Sequence, residues 1–146
     1  DGTFRGYNEV NRAEAAKFLL LAKGINVSEI TYSRFSDVDP SAWYAKYVEK
    51  AAELGIISGY SDGTFRPANT INTAEFLKML TLTFNLQTNL SYSYKDVDSG
   101  AWYAQYVGIA PKYNLFPDRT NGYLYPTAYL TRYEVAVAIY EYLINK

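Results

Sequence analysis

The sequence predicts a mainly α protein made of tandem helix-loop-helix repeats. Three observations carry that expectation. Residues 35–48 (FSDVDPSAWYAKYV) and 94–107 (YKDVDSGAWYAQYV) share nine of 14 positions at an offset of 59. The same offset persists downstream in the pairs Gly63/Gly122, Pro67/Pro126 and Glu75/Glu134. A partial third copy opens the chain: Asp1-Gly2-Thr3-Phe4-Arg5 equals Asp62-Gly63-Thr64-Phe65-Arg66, and Asn11 to Glu14 then parallels Asn72 to Glu75 at the same offset of 61. Self-similarity of this period marks a repeat architecture. The expected modules are residues 1–28 (the C-terminal half of a first copy), 29–88 and 89–146.

Each full repeat is expected to hold two helices around a turn-rich loop. Asp39-Pro40 is expected to be an N-cap with proline at the first helical position. Trp43, Tyr47, Val48, Ala51 and Leu54 then mark one face at near-helical spacing, and Gly55 stops the helix. The loop to Pro67 carries a turn at Asp62-Gly63. A second helix starts near Asn72, with an apolar stripe of Phe76, Met79, Leu80 and Phe84. Its start recurs as Asn11-x-x-Glu14, Asn72-x-x-Glu75 and Thr131-x-x-Glu134, a capping box and two Asn variants of it. Next to the cap stand Arg12, Thr73 and Arg132. A cation at a helix N-terminus is locally unfavourable by about 0.3–1 kcal/mol, so the two arginines point to a role other than holding the helix. Segments 28–34 and 85–93 read as short links, so the repeats are expected to pack on each other.

Composition removes several function classes. The 146 residues contain 0 Cys and 0 His, which excludes disulfides, Ser-His-Asp and Cys-His catalysis, and Cys/His zinc sites. A net charge of -1 offers no long-range attraction to nucleic acid or to an anionic membrane surface. No apolar run approaches the ~18–20 residues of a membrane span. The chain opens at Asp1 with turn residues, which reads as the start of a processed or excised piece. Sixteen Tyr residues give many rings with an apolar body and a polar tip, suited to half-wet surfaces. No metal or cofactor is expected.

The order D-V-x-x-x-x-W-Y, L-G-I-I-S-G-Y, D-G-T-F-R-P and T/N-x-A-E-F resembles the S-layer homology family, twice in full and once in part. The resemblance implies tandem helical modules around a pseudo-threefold axis, here with the first incomplete. It implies secreted, non-catalytic cell-surface proteins that anchor to the bacterial wall. They do so by binding an anionic, often pyruvylated, secondary wall polysaccharide or peptidoglycan in grooves between modules. The implied ligand-binding residues are Arg12 and Arg132 from the T-R-A-E motif, Trp43 and Trp102, and the glycine pair Gly55 and Gly59, with Arg66 on the groove wall. Thr73 departs from the motif, so a groove built on it is expected to bind more weakly or not at all. In the third copy the glycine pair becomes Asn114 and Asp118. Physically, an arginine fork suits a carboxylate, free N–H groups at a helix N-terminus favour an anion, and aromatic rings cover sugar C–H faces.

Other roles remain for the same residues. The two Trp are either packing or stacking groups, and Arg12 and Arg132 are ligands or surface ion-pair partners. Arg5 and Arg66 are turn charges or groove wall. Asp37, Asp39, Asp96 and Asp98 are expected to be caps rather than a catalytic or calcium set. Glu14, Glu75 and Glu134 are capping residues. The alternative function is a scaffold that makes protein–protein contacts in a surface layer without glycan, and the incomplete first module predicts self-association. No carboxylate stands in a context that raises its pKa, which speaks against a glycan hydrolase.

Overall fold

The computed structural model describes residues 3–146; Asp1 and Gly2, which open the first D-G-T-F-R copy, lie outside it. Five α-helices follow one another: α1 (Arg12–Lys23), α2 (Ala45–Glu53), α3 (Thr73–Phe84), α4 (Ile109–Tyr113) and α5 (Arg132–Asn145), with a short 3₁₀ turn at Ala104–Tyr106 before α4. Among the described residues the only strand-like pairings are isolated bridges, Glu9 with Thr131, Asn11 with Thr70 and Asn72 with Tyr129. None of these helices is long and apolar enough to cross a membrane. The mainly α class is therefore as the sequence predicts.

The three long helices start as the sequence indicates. Asn11, Asn72 and Thr131 each accept from the backbone N–H of Glu14, Glu75 and Glu134, and each Glu reaches back to the cap's own N–H. Gly24 (φ 76°) and Asn85 (φ 53°) end α1 and α3 in the left-handed conformation.

The Trp-bearing segment differs from expectation. The helix in 29–88 begins only at Ala45, and its N-cap Tyr44 makes no side-chain cap bond. Asp39 instead accepts from Ser41 N–H and Oγ (2.9 and 2.8 Å), closing a turn ahead of the helix. Trp43 thus precedes α2 rather than riding on it. In the third copy the corresponding helix is split. Gly108 stands there so close to Leu90 that a β-carbon would overlap its carbonyl, and Pro111 lacks an N–H to continue a longer helix.

Asp37 and Asp96 are not caps either. Asp37 accepts from the N–H groups of Phe65 and Arg66 (2.7 and 2.8 Å), and Asp96 from those of Leu124 and Tyr125 (2.8 and 2.7 Å). Each carboxylate thereby pins the far side of its own loop, where Arg66 (φ 58°) and Tyr125 (φ 57°) hold a left-handed conformation unfavourable for such residues.

Two compact units result: Asn11–Thr70, and the chain up to Val10 together with Ile71–Lys146. Neither coincides with one repeat. The first joins α1 of one copy to α2 and the loop of the next, and its core gathers Ala16, Leu19, Leu20, Val48, Ala51 and Phe65. At the centre of the second, three backbones close a ring of hydrogen bonds. Val10 N–H donates to Leu130 O (2.9 Å), Leu130 N–H to Ile71 O (3.4 Å) and Ile71 N–H to Val10 O (3.0 Å). All three side chains are fully buried. One residue from each copy satisfies the next, which is a threefold pattern written in backbone polar groups.

Glu49 on α2 ties the link to the helix: it accepts from Ser33 Oγ (3.0 Å), Arg34 N–H (2.8 Å) and Arg34 Nε (2.9 Å). Burial pushes its pKa up, but the hydrogen bonds from Arg34 and Ser33 outweigh this and hold it below the usual value. A depressed folded pKa contributes stability above the unfolded value of about 4.3, and that contribution is lost as pH falls through the folded pKa. Urea unfolding from pH 6 down to pH 3 is therefore expected to show a smaller acid-side loss in Glu49→Gln than in the wild type.

Candidate functional site

The helix N-termini are where consecutive copies meet. In the Asn11–Thr70 unit, the N–H groups of Arg12 and Ala13 donate to Asn69 O (2.8 Å) and Pro67 O (3.2 Å). In the other unit, Thr73 and Ala74 donate to Ala128 O and Pro126 O (both 2.9 Å), while Arg132 and Tyr133 donate to Asn8 O and Gly6 O (2.8 and 2.9 Å). A loop of another copy (the following one for α1 and α3, the first one for α5) thus occupies the first two amides of each of these helices, and the cap takes the third. The expectation that these helix ends present free N–H groups to a ligand is corrected: only their dipole field remains available.

Arg12 reaches across this seam. It is buried, and its Nε and Nη2 donate to Phe65 O (2.9 Å) and Ser58 O (2.8 Å). Its guanidinium lies 4.6 Å from the Phe65 ring centroid and 5.0 Å from that of Tyr60. In the same unit, Lys17 Nζ stands 5.1 Å from the Trp43 ring and 5.7 Å from Tyr47. Trp43 is 54% exposed and meets Tyr44 edge-on at 5.4 Å. The outer wall is Arg66, whose guanidinium covers Tyr60 at 3.8 Å and pairs with Asp62 at 3.3 Å.

The two glycines do different work. Gly55 holds φ 75° with open space around its α-carbon, so it is a helix stop, and Asn114 takes the same left-handed conformation in the third copy. Gly59 stands against the Phe35 ring and Thr64 O, where no side chain fits. Gly59 therefore constrains the loop by close approach, whereas Gly55 only lets the chain turn after α2.

The seam between the second and third copies repeats part of this. Lys78 Nζ lies 5.8 Å from Trp102, also 54% exposed and edge-on to Tyr103. Thr73 stands in place of an arginine, and Arg119 supplies a guanidinium beside it, donating to Thr73 Oγ1 (3.1 Å) and Leu124 O. At the remaining seam, Arg132 Nε donates to Phe4 O (2.8 Å) and its guanidinium lies 5.5 Å from that ring.

The structure thus gathers Arg12, Trp43, Gly59 and Arg66 within one unit, and Trp102 and Arg132 in the other at separate seams. Sequence reasoning passed over Lys17, Lys78, Tyr60 and Arg119. Lys17 and Lys78 were detectable, since they recur at the offset of 61. Among the described residues no group of carboxylates is placed to hold a metal.

A helical tandem-repeat module, with a cation and an exposed indole set at the junction of successive copies, is the class of protein that fold and seam define. The S-layer homology domain model matches residues 34–77 and 93–136, and the chain belongs to that family. The family places the chain at the bacterial cell surface or wall. It is similar to an endoglucanase of Bacillus sp. (strain KSM-635), 32% identical over 83% of this chain and 13% of that protein. It is also similar to a cellulosome-anchoring protein of Acetivibrio thermocellus, 32% identical over 82% of this chain and 29% of that protein. A surface-layer 125 kDa protein of Lysinibacillus sphaericus is 29% identical over 85% of this chain and 10% of that protein. The chain therefore spans only a minor part of each relative's length.

Proposed function

We propose that this chain is a non-catalytic wall anchor that binds an acidic secondary wall glycan, of the pyruvylated kind, along the seams between its copies. The observation that carries the reading is the recurring pair of a lysine ammonium over a half-exposed indole, Lys17–Trp43 and Lys78–Trp102. A half-exposed indole contributes little to a core, and its apolar face suits sugar C–H groups. The ammonium beside it supplies the charge for a carboxylate. Arg12, on the same helix as Lys17, acts as the fixed group that sets the seam and adds positive potential. The cellulosome-anchoring and surface-layer relatives support the same reading.

Co-sedimentation with wall sacculi tests it. The protein is expected to pellet with sacculi and to remain soluble once the secondary polymer is extracted. Lys17→Gln with Lys78→Gln is expected to weaken pelleting about tenfold or more while lowering the melting temperature by only a few degrees, because both lysines are half-buried and glutamine keeps part of the stem that packs on the indole. Binding that survives extraction points to peptidoglycan itself. Equal binding by the double variant removes the seams from the account. The scaffold reading has one observation in its favour: Tyr133, Tyr140 and Ile144 form an exposed stripe on α5. It predicts sedimentation-detected self-association and no dependence on sacculi.

A further inference from the structure

In the second copy, charged side chains tie the link to α2. Lys46 pairs with Glu29 at 2.7 Å, and Arg34 with Glu49 at 2.9 Å. At the offset of 59 these positions become Gln105, Thr88, Ser93 and Gly108. Every charge is gone. The third copy holds its link through the backbone instead. Asn89, left-handed at φ 59°, donates its N–H to Gln105 O at 2.8 Å. Gly108 lies against the Leu90 carbonyl. Between this link and the 3₁₀ turn runs an open groove of about 470 Å³, lined by Asn89, Tyr92, Ser99, Trp102 and Gln105 among others. Small-ligand sites span about 300–1,000 Å³, so the groove has room for a sugar ring. No residue that lines it is charged.

The aromatic walls are held in place by neighbours. Trp102 is half-exposed and meets Tyr103 edge-on at 5.4 Å. Tyr92 is half-buried and stacks on Tyr94, with centroids 6.4 Å apart and planes 22° from parallel. Rings already fixed lose little freedom when a ligand arrives, and their faces cover sugar C–H groups. Asn89, Ser99 and Gln105 are exposed. Their amides and hydroxyl both donate and accept, which suits sugar hydroxyls and an acetamido group. They offer no cation to a carboxylate. We propose that this groove is a subsite for an uncharged pyranose of the wall glycan. The proposal rests on the glycan reading above. It adds a neutral residue bound on the link side of Trp102, beside the acidic one that Lys78 attracts.

Titration of the ¹⁵N-labelled chain with methyl N-acetyl-β-glucosaminide tests this. Saturable shifts are expected at the amides of 89–92 and 99–105 and at the Trp102 indole N–H. They are expected to be unchanged when salt is raised about tenfold, because no net charge is recognised. Thr88→Glu with Gln105→Lys rebuilds the Glu29–Lys46 pair of the second copy across the groove. This double variant is expected to bind the neutral probe about fivefold or more weakly, with a melting temperature within a few degrees of the wild type. Tyr32→Ala, at an exposed residue elsewhere, is expected to leave binding unchanged. A methyl hexoside bearing a pyruvate ketal serves as the acidic probe. It is expected to move amides around Lys17 and Lys78 and to weaken as salt rises. If the acidic probe binds there and the neutral probe moves nothing, the neutral subsite alone is overturned. Equal neutral binding by the double variant overturns the groove as its place. If the acidic probe moves the amides of 89–92 with higher affinity than the neutral one, the assigned specificity is overturned. If neither probe moves any amide, the glycan reading falls as well.

Discussion

Arg12→Ala is expected to lower the unfolding free energy by about 3 kcal/mol, whereas Arg132→Ala costs less than about 1 kcal/mol. The sequence presents these residues as equivalents, each one position after a helix cap. The structure separates them by burial. Arg12 is 7% exposed, and its removal leaves Phe65 O and Ser58 O without their donor while the Phe65 ring loses its cation and Tyr60 keeps only Arg66. A buried carbonyl left without its donor costs about 1–3 kcal/mol, and the emptied volume adds to that. Arg132 makes its bond to Phe4 O at the surface, and Phe4 is itself half-exposed. Water replaces that partner readily. Thermal melts of the two variants decide the matter. At this chain length a loss of about 3 kcal/mol corresponds to a melting point about 10 °C lower. Equal melting points would show that Arg12 does not clamp the seam. The distinction matters for function, because loss of wall binding in Arg12→Ala reports on the shape of the seam as well as its charge. The lysine variants isolate the charge.

The same contrast shows what the sequence could and could not disclose. Repeat period, capping boxes and the left-handed stop at Gly55 were legible because each depends on residues a few positions apart. The misplaced cation at Arg12 was a correct signal too: an arginine that weakens its own helix start turned out to bind the next copy. The role of Asp37 was not legible. Its D-V-D context fits a cap, and only the fold brings the amides of Phe65 and Arg66 to its carboxylate. Arg119 was hidden for a related reason. Alignment by offset shows Tyr60 becoming Arg119 and Arg12 becoming Thr73 as two separate losses, and only proximity of Thr73 Oγ1 to Arg119 joins them. The break of the third Trp segment was readable in part, since Pro111 stands inside the pattern, but the crowding of Gly108 by Leu90 depends on how the link folds back.

Gly59→Ala is expected to be the second most costly change, at about 2–3 kcal/mol, and its cause tests how the seam is built. An added methyl would overlap the Phe35 ring and stand 2.9 Å from Thr64 O. Phe35 has little freedom to retreat, because it is buried and packs on Phe65 with ring centroids 5.1 Å apart. Overpacking of this kind costs about 1–3 kcal/mol, and here it also presses on a backbone carbonyl that accepts from Tyr60 N–H at 2.8 Å. Phe65 carries the carbonyl that holds Arg12, so a displaced Phe35 shifts the guanidinium as well. Gly59→Ala should therefore both lower the melting temperature and weaken pelleting with sacculi. Adding Phe35→Leu to it, which removes the ring edge, should recover part of both. If glycine at 59 served only to let a glycan approach the backbone, the alanine variant would melt like the wild type and lose binding alone, and the second substitution would rescue nothing. The third copy already carries out half of this experiment: Asp118 stands at the Gly59 position, and the residue aligned with Phe35 is Tyr94, half-buried and no longer a buried phenylalanine.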